Sequence, residues 1–173
     1  MSSQKILLSN ELHKELLNDI YMALGRDQKL IQTSFENKEW IHLGFQSDDP
    51  VTDFRGTGEL GLLNIHYLVT SEPQKANEML IEANETERHY FFACTGINIT
   101  LKLFFLICKD HINLHKFESC SDAEDALLKF NFLYVKFFED LHDYWRNSPL
   151  SKSIMNYNLV LNEFFENYKK GYK

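Results

Sequence analysis

Apolar side chains recur along this chain at the three- and four-residue spacing of helices, and nowhere alternate over a length that would make a strand. Leu8, Leu12, Leu16, Ile20 and Leu24 predict an amphipathic helix over 6–24, with Ser9 or Asn10 as its cap and Gly25 as its stop. A second helix is predicted over Arg26–Leu43, with Leu30, Phe35, Trp40 and Leu43 inward. A third begins near Gly58 and runs to about Val69, placing Leu60, Leu63 and Tyr67 on one side. Ser71-Glu72-Pro73 breaks the pattern and starts a more polar surface helix through Met79 to Ala83, with proline in its first turn.

The most apolar segment, 90–109, predicts a central helix. Gly96 in its interior costs about 1 kcal/mol relative to alanine, which implies close packing against another backbone. Asn98 in the same segment needs buried hydrogen-bond partners. Ser121-Asp-Ala-Glu124 fits a capping box and opens a long helix to about Trp145, with Leu127, Phe130, Tyr134, Phe137, Phe138 and Leu141 inward. Ser148-Pro149 starts a last helix to about Tyr168, with Ile154, Leu161, Phe164 and Phe165 apolar. No internal repeat or low-complexity tract interrupts the series. The expected fold is all-α, a single-domain helical bundle of about seven to eight helices.

Composition supports one core. Of 173 residues, 44% are hydrophobic and 14% aromatic, enough for a sizeable interior. The expected layout is an N-terminal helical arm over 1–34 packed on a core over 35–168. Lys and Arg number 18 against 25 Asp and Glu, a net charge of −7 without a basic run, so the footprint of a nucleic-acid binder is missing. Cys94, Cys108 and Cys120 form no CxxC and read as small core residues in a reducing compartment. From the first residues, Met-Ser-Ser-Gln-Lys, neither a signal peptide nor N-myristoylation is expected. Tyr90–Cys108 approaches membrane-spanning length, but Asn98 and Lys102 favour a buried helix.

One stretch departs from the helical pattern. Residues 40–67 hold four of the seven glycines (Gly44, Gly56, Gly58, Gly61), and their centre, Asp48-Asp-Pro-Val-Thr-Asp-Phe-Arg-Gly-Thr-Gly58, is a loop of turn formers. Asp49-Pro50 and Gly56/Gly58 give it a defined shape. Arg55 sits between an apolar anchor, Phe54, and a permissive glycine. A guanidinium presented this way can meet phosphate oxygens with its planar fork. Alternatively it pairs with Asp53 or another acid and only ties the loop down, or Asp53 holds it at rest and releases it on binding. Gln46 braces the loop or contacts a partner. Gly56-x-Gly58-x-x-Gly61 reads as a dinucleotide fingerprint, but no strand precedes it and no βαβ unit follows. His111 and His115 lie four apart near Cys108 and Cys120, the spacing of ligands on one helical face, but no matching ligand pair appears elsewhere and no metal is expected.

The stretch resembles the signature of the ELMO domain: Trp40, then Gly44-Phe45-Gln46, Asp49-Pro50, Thr52-Asp53-Phe54-Arg55-Gly56, Gly58 and a Leu-rich run to Tyr67. Phe92-Ala-Cys-Thr-Gly-Ile-Asn-Ile-Thr100 is similar to a second block of that family, and Tyr134, Phe138, Trp145 and Met155-Asn156-Tyr157 to a looser third. The resemblance covers roughly residues 35–165. It implies a GTPase-activating module for Arf and Arf-like small GTPases, with Arg55 as the catalytic arginine supplied in trans. GTP and Mg²⁺ would belong to the GTPase, and the chain would carry no cofactor of its own. Gln46, Asp49, Pro50, Thr52, Asp53, Phe54, Gly56 and Gly58 would then brace the loop or touch the partner, while Trp40, Gly44, Phe45, Gly96 and Asn98 would be structural. Its expected place is the cytoplasm, with recruitment to endomembranes through the GTPase. The family's other setting, engulfment and motility scaffolds, implies a non-catalytic interaction module; the short chain and retained arginine favour the first.

Overall fold

The computed structural model describes residues 5–25, 36–109 and 120–171. All regular elements among them are helical, in agreement with the all-α expectation. We number the α-helices α1 (Glu11–Ala23), α2 (Glu39–His42), α3 (Glu59–Ser71), α4 (Pro73–Ala83), α5 (Phe92–Cys108), α6 (Ala123–Asn147) and α7 (Tyr157–Gly171). Three 3-10 helices, Pro50–Gly56, Pro149–Lys152 and Ile154–Asn156, complete the described set.

Local chemistry places most boundaries. Asn10 caps α1 by accepting from the Leu12 N–H at 3.0 Å, and Gly25 takes the left-handed conformation (φ 80°) just beyond its end. The inward stripe of α1 is His13, Leu16, Leu17 and Ile20, while Leu12 is exposed. His13 is buried with its Nδ1 accepting from the Leu7 N–H at 3.0 Å and its Nε2 3.4 Å from Glu59 Oε1. The cap of α6 lies one residue later than expected: Asp122 accepts from the Asp125 N–H at 2.9 Å, and Asp125 accepts from the Ser121 N–H at 3.1 Å. This departs from a capping box in one bond: the Asp125 carboxylate returns to the N–H of Ser121, the residue before the cap, and not to that of Asp122 itself.

Two predicted helices are corrected. The part of 26–43 within the described residues contains only the short α2, although Trp40 and Leu43 are buried as expected. Residues 26–35, with Leu30 and Phe35, lie outside the described residues. Pro149 opens a 3-10 turn, and α7 starts eight residues later at Tyr157, because Ser148 and Ser153 each close a local turn onto Leu150 N and Met155 N.

Helix α3 packs between α1 and α5 and so is buried on more than one side. Its core face is Leu62, Ile65, Leu68 and Val69, whereas Leu60, Leu63 and Tyr67 are half-buried around it. Asn64 is fully buried there. Its amide donates to Asn131 Oδ1 at 2.7 Å and accepts from Thr100 Oγ1 at 2.9 Å, which ties α3, α5 and α6 at one point. This is the buried amide that the sequence reading sought at Asn98; Asn98 itself is half-buried, on the outer side of α5. Gly96 is also corrected in detail. A Cβ there would meet side chains, Tyr134 Oη at 2.4 Å and Phe138 and Ile65 beyond 3 Å, rather than another backbone.

A chain of aromatic rings joins this core to the loop. Tyr21, Trp40, Phe45 and Phe54 follow one another at centroid separations of 5.2, 5.2 and 5.9 Å. All four are buried. The expected anchors Trp40, Phe45 and Phe54 therefore hold the signature segment from beneath. None of the helices among the described residues is long and apolar enough to cross a membrane.

Candidate functional site

The centre of the signature is a 3-10 helix, where the sequence suggested a loop. Asp49 starts it by accepting from the Val51 N–H at 3.0 Å, and Pro50, in its first turn, has no N–H to leave orphaned. The Asp49 carbonyl accepts from Ser47 Oγ at 3.1 Å and Thr52 Oγ1 at 2.9 Å. Phe54 points into the core, and the next residue, Arg55, is exposed. Gly58 ends the segment with φ 56°, a conformation glycine reaches without strain, and its carbonyl enters the first turn of α3.

Backbone joins this segment to α5. Gly44 has φ 84°, and a Cβ on it would lie 2.2 Å from Phe92 N. The absence of that Cβ lets the Leu43 and Gly44 carbonyls accept from the Ala93 and Cys94 N–H groups at 3.2 and 3.0 Å. Those donors belong to the first turn of α5, which has no side-chain cap. The signature thus caps the central helix.

Arg55 is positioned by its own turn. Its Nε donates to the Thr52 carbonyl at 2.7 Å. Among the described residues no carboxylate lies within ion-pair distance of it, and its terminal nitrogens make no bond. The resting Asp53–Arg55 pair considered from sequence is therefore not formed. Asp53 turns the other way, accepting from the Gln46 N–H at 2.8 Å and from Cys94 Sγ at 3.7 Å. Gln46 is braced through its backbone, while its side chain remains exposed. Gly56 is exposed and its missing Cβ would meet nothing, so the space beside Arg55 is open.

Gln46, Thr52, Asp53, Arg55, Cys94, Ile97 and Asn98 line a shallow pocket of about 140 Å³. Of the residues expected to act or to brace, the structure brings Gln46, Thr52, Asp53, Arg55 and Asn98 together here. Cys94 and Ile97 were missed as site residues. Their signal was the 94, 97, 98 spacing, which puts all three on one side of a helix. Burial, helped by the Asp53 carboxylate, pushes the Cys94 thiol up to about 12, so it acts as a packed donor rather than a nucleophile.

Burial also raises the Asp53 carboxyl above its ordinary value, outweighing the Gln46 hydrogen bond and the nearby Arg55 charge. An acid whose folded pKa is raised binds its proton more tightly folded than unfolded. Its favourable contribution is present at low pH and declines as pH rises through the folded value. Asp53→Asn keeps an oxygen for the Gln46 N–H without the charge. It is expected to stabilise the chain slightly at neutral pH, with the gain disappearing below the ordinary carboxylate range. Denaturant midpoints across pH check this; a neutral-pH loss would contradict it.

A larger cavity of about 250 Å³ lies between α4 and α6, near His142. There Tyr90 Oη meets His142 Nδ1 at 2.8 Å, and His142 Nε2 meets Glu82 at 2.9 Å. Arg146 closes the set on Glu82 and Glu85 at 2.9 and 3.0 Å. Sequence reading missed this network. Both imidazole nitrogens are engaged, and the set staples the end of α4 and the connection that follows it to α6. His111 and His115 lie outside the described residues. Among the described residues no group of three or more His, Cys, Asp or Glu is arranged to hold a metal ion.

The family model described as the ELMO/CED-12 family matches residues 1–161. ELMO domain-containing protein 2 of Mus musculus is 35% identical over 109 residues, covering 63% of this chain and 36% of that protein. ELMO domain-containing protein B of Dictyostelium discoideum is 41% identical over 113 residues, covering 65% and 39%. ELMO domain-containing protein 1 of Bos taurus is 31% identical over 131 residues, covering 66% and 40%. The matched chain thus spans less than half the length of these relatives. No solved structure matches it.

Proposed function

The chain belongs to the ELMO/CED-12 family, and from that premise we propose that it activates small GTPases of the Arf and Arf-like type by supplying Arg55 in trans. The observation that carries this reading is the state of Arg55: exposed, steered by one bond from Nε to the Thr52 carbonyl, and unpaired with any acid among the described residues. A structural arginine on a chain with 25 acids would be expected to find one.

The partner GTPase holds GTP and Mg²⁺ and positions its own attacking water. Transfer of the γ-phosphoryl group places developing negative charge on the β–γ bridging and γ oxygens. Arg55 offsets that charge with its terminal nitrogens, while Thr52 fixes the direction from which the guanidinium enters. With Phe54 buried and Asp49 capping the 3-10 helix, the segment is already folded before docking, which leaves little ordering to complete. The chain needs no nucleotide or metal of its own for this role, and recruitment to endomembranes would follow the GTPase.

Single-turnover GTP hydrolysis by a panel of Arf-family GTPases tests the reading, with wild type and Arg55→Ala in parallel. Stimulation by wild type that the folded Arg55→Ala variant lacks is the expected result. Binding without stimulation across the panel would instead make the domain a non-catalytic interaction module, as the scaffold setting implies.

A further inference from the structure

We infer that the outer face of α5, from the Arg55 pocket to Phe105, forms the second part of the docking surface for the GTP-loaded GTPase; this rests on the function proposed above. Cys94, Leu101 and Phe105 fall at i, i+7 and i+11 and so share one helical line. Cys94, Ile97 and Asn98 form one wall of the Arg55 pocket. Beyond them Leu101 is half-exposed and Phe105 is 48% exposed. A single exposed apolar residue is ordinary; this one continues the pocket. The strip from Cys94 to Phe105 extends roughly 16 Å at 1.5 Å per residue.

Charge identifies the occupant. The chain carries a net charge of −7, yet no Asp or Glu occurs from Tyr90 to Lys109. The cations are at the margins of the strip. Lys102 is drawn aside to Asn162 Oδ1 at 2.9 Å, and Lys109 lies 5.9 Å from the Phe105 ring centroid. Arg55 stands at the other end. An apolar centre with a polar rim is the anatomy of a protein interface. Its positive margins complement a partner whose mouth carries a magnesium–triphosphate, where net negative charge sits within a protein surface.

The test follows single-turnover hydrolysis by a GTPase that wild type stimulates, as a function of the concentration of the full chain. Phe105→Glu is compared with Arg55→Ala and with Ile81→Glu, a 68% exposed position on α4. Phe105→Glu is expected to raise the half-saturating concentration by about tenfold or more with the maximal rate kept within about twofold. Arg55→Ala should do the reverse, and Ile81→Glu neither. A Phe105→Glu half-saturation within about twofold of wild type, alongside an inactive Arg55→Ala, overturns the strip and leaves the Arg55 reading standing. Thermal unfolding monitors the fold, and Phe105→Gln replaces the charged variant should it not fold. If wild type stimulates no GTPase, binding to the panel loaded with a non-hydrolysable GTP analogue decides: loss in Phe105→Glu supports the strip, and no binding or no change overturns it. Co-sedimentation with phosphatidylserine vesicles that falls in Phe105→Glu, with half-saturation unchanged, assigns the strip to a membrane and also overturns the proposal.

Discussion

Arg55→Lys is expected to lower the maximal stimulated rate of GTP hydrolysis by roughly a thousandfold or more, the scale of a lost arginine finger. The charge is retained in this variant, so its failure would isolate geometry. Lysine presents three rotating donors on a point charge, where arginine offers a planar fork able to bond two phosphate oxygens at once. It also has no Nε, and so loses the bond to the Thr52 carbonyl that steers the side chain. Folding is expected to be indifferent: Arg55 is exposed and its single bond is local, so stability should change by under about 0.5 kcal/mol. The rate and the melt are therefore measured on the same preparation. A lysine variant that keeps the full rate with unchanged binding removes the finger role, and one that unfolds makes Arg55 a structural residue.

Gly44→Ala is expected to have the largest effect on stability. A non-glycine residue in the left-handed region costs about 1–3 kcal/mol, and here φ is 84°. The new Cβ would also lie 2.2 Å from Phe92 N and 2.8 Å from Ala93 N, and backbone atoms at a helix start cannot swing aside as a side chain can. Forced overpacking adds about 1–3 kcal/mol. Separating the segments would free the Ala93 and Cys94 N–H groups from their carbonyl partners, at about 1 kcal/mol each. Together these terms span about 4–8 kcal/mol, a large share of the roughly 5–15 kcal/mol that a domain possesses. Urea unfolding of the variant checks it, and a change below about 1 kcal/mol would contradict the account.

These two residues also show what could be read before the structure. The order of the longer α-helices among the described residues follows from apolar spacing, since each must bury a stripe; the short 3-10 segments do not. The signature segment stood out because its glycines and turn formers interrupt that spacing. Spacing does not say which neighbour supplies a contact. Asn98 and Asn64 are both amides within apolar helices, yet only Asn64 faces other helices, where Asn131 and Thr100 satisfy it. Gly96 signalled a close approach correctly, but a missing Cβ looks the same whether it admits a backbone or the Tyr134 hydroxyl. Asp53 and Arg55 are two apart and of opposite charge, which suggests a pair. The 3-10 turn separates them, sending Asp53 toward Gln46 and Cys94 and Arg55 to the surface.

The carbonyls of Leu43 and Gly44, serving as the cap of α5, set a limit on how the arginine-bearing segment can be used apart from the chain. A synthetic peptide spanning 44–58 would carry the 3-10 helix and its Asp49 cap without the α5 turn and the Tyr21 and Trp40 rings that it packs on. Its partner turn, Phe92–Cys94, is more than thirty residues away in sequence, and the rings that hold it from below begin at Tyr21. Grafting the segment onto another scaffold meets the same requirement: the recipient must offer an uncapped helix start at the right distance and a slot for Phe54. The portable unit is thus a junction of two distant segments, and transplants or mimics of Arg55 have to carry both.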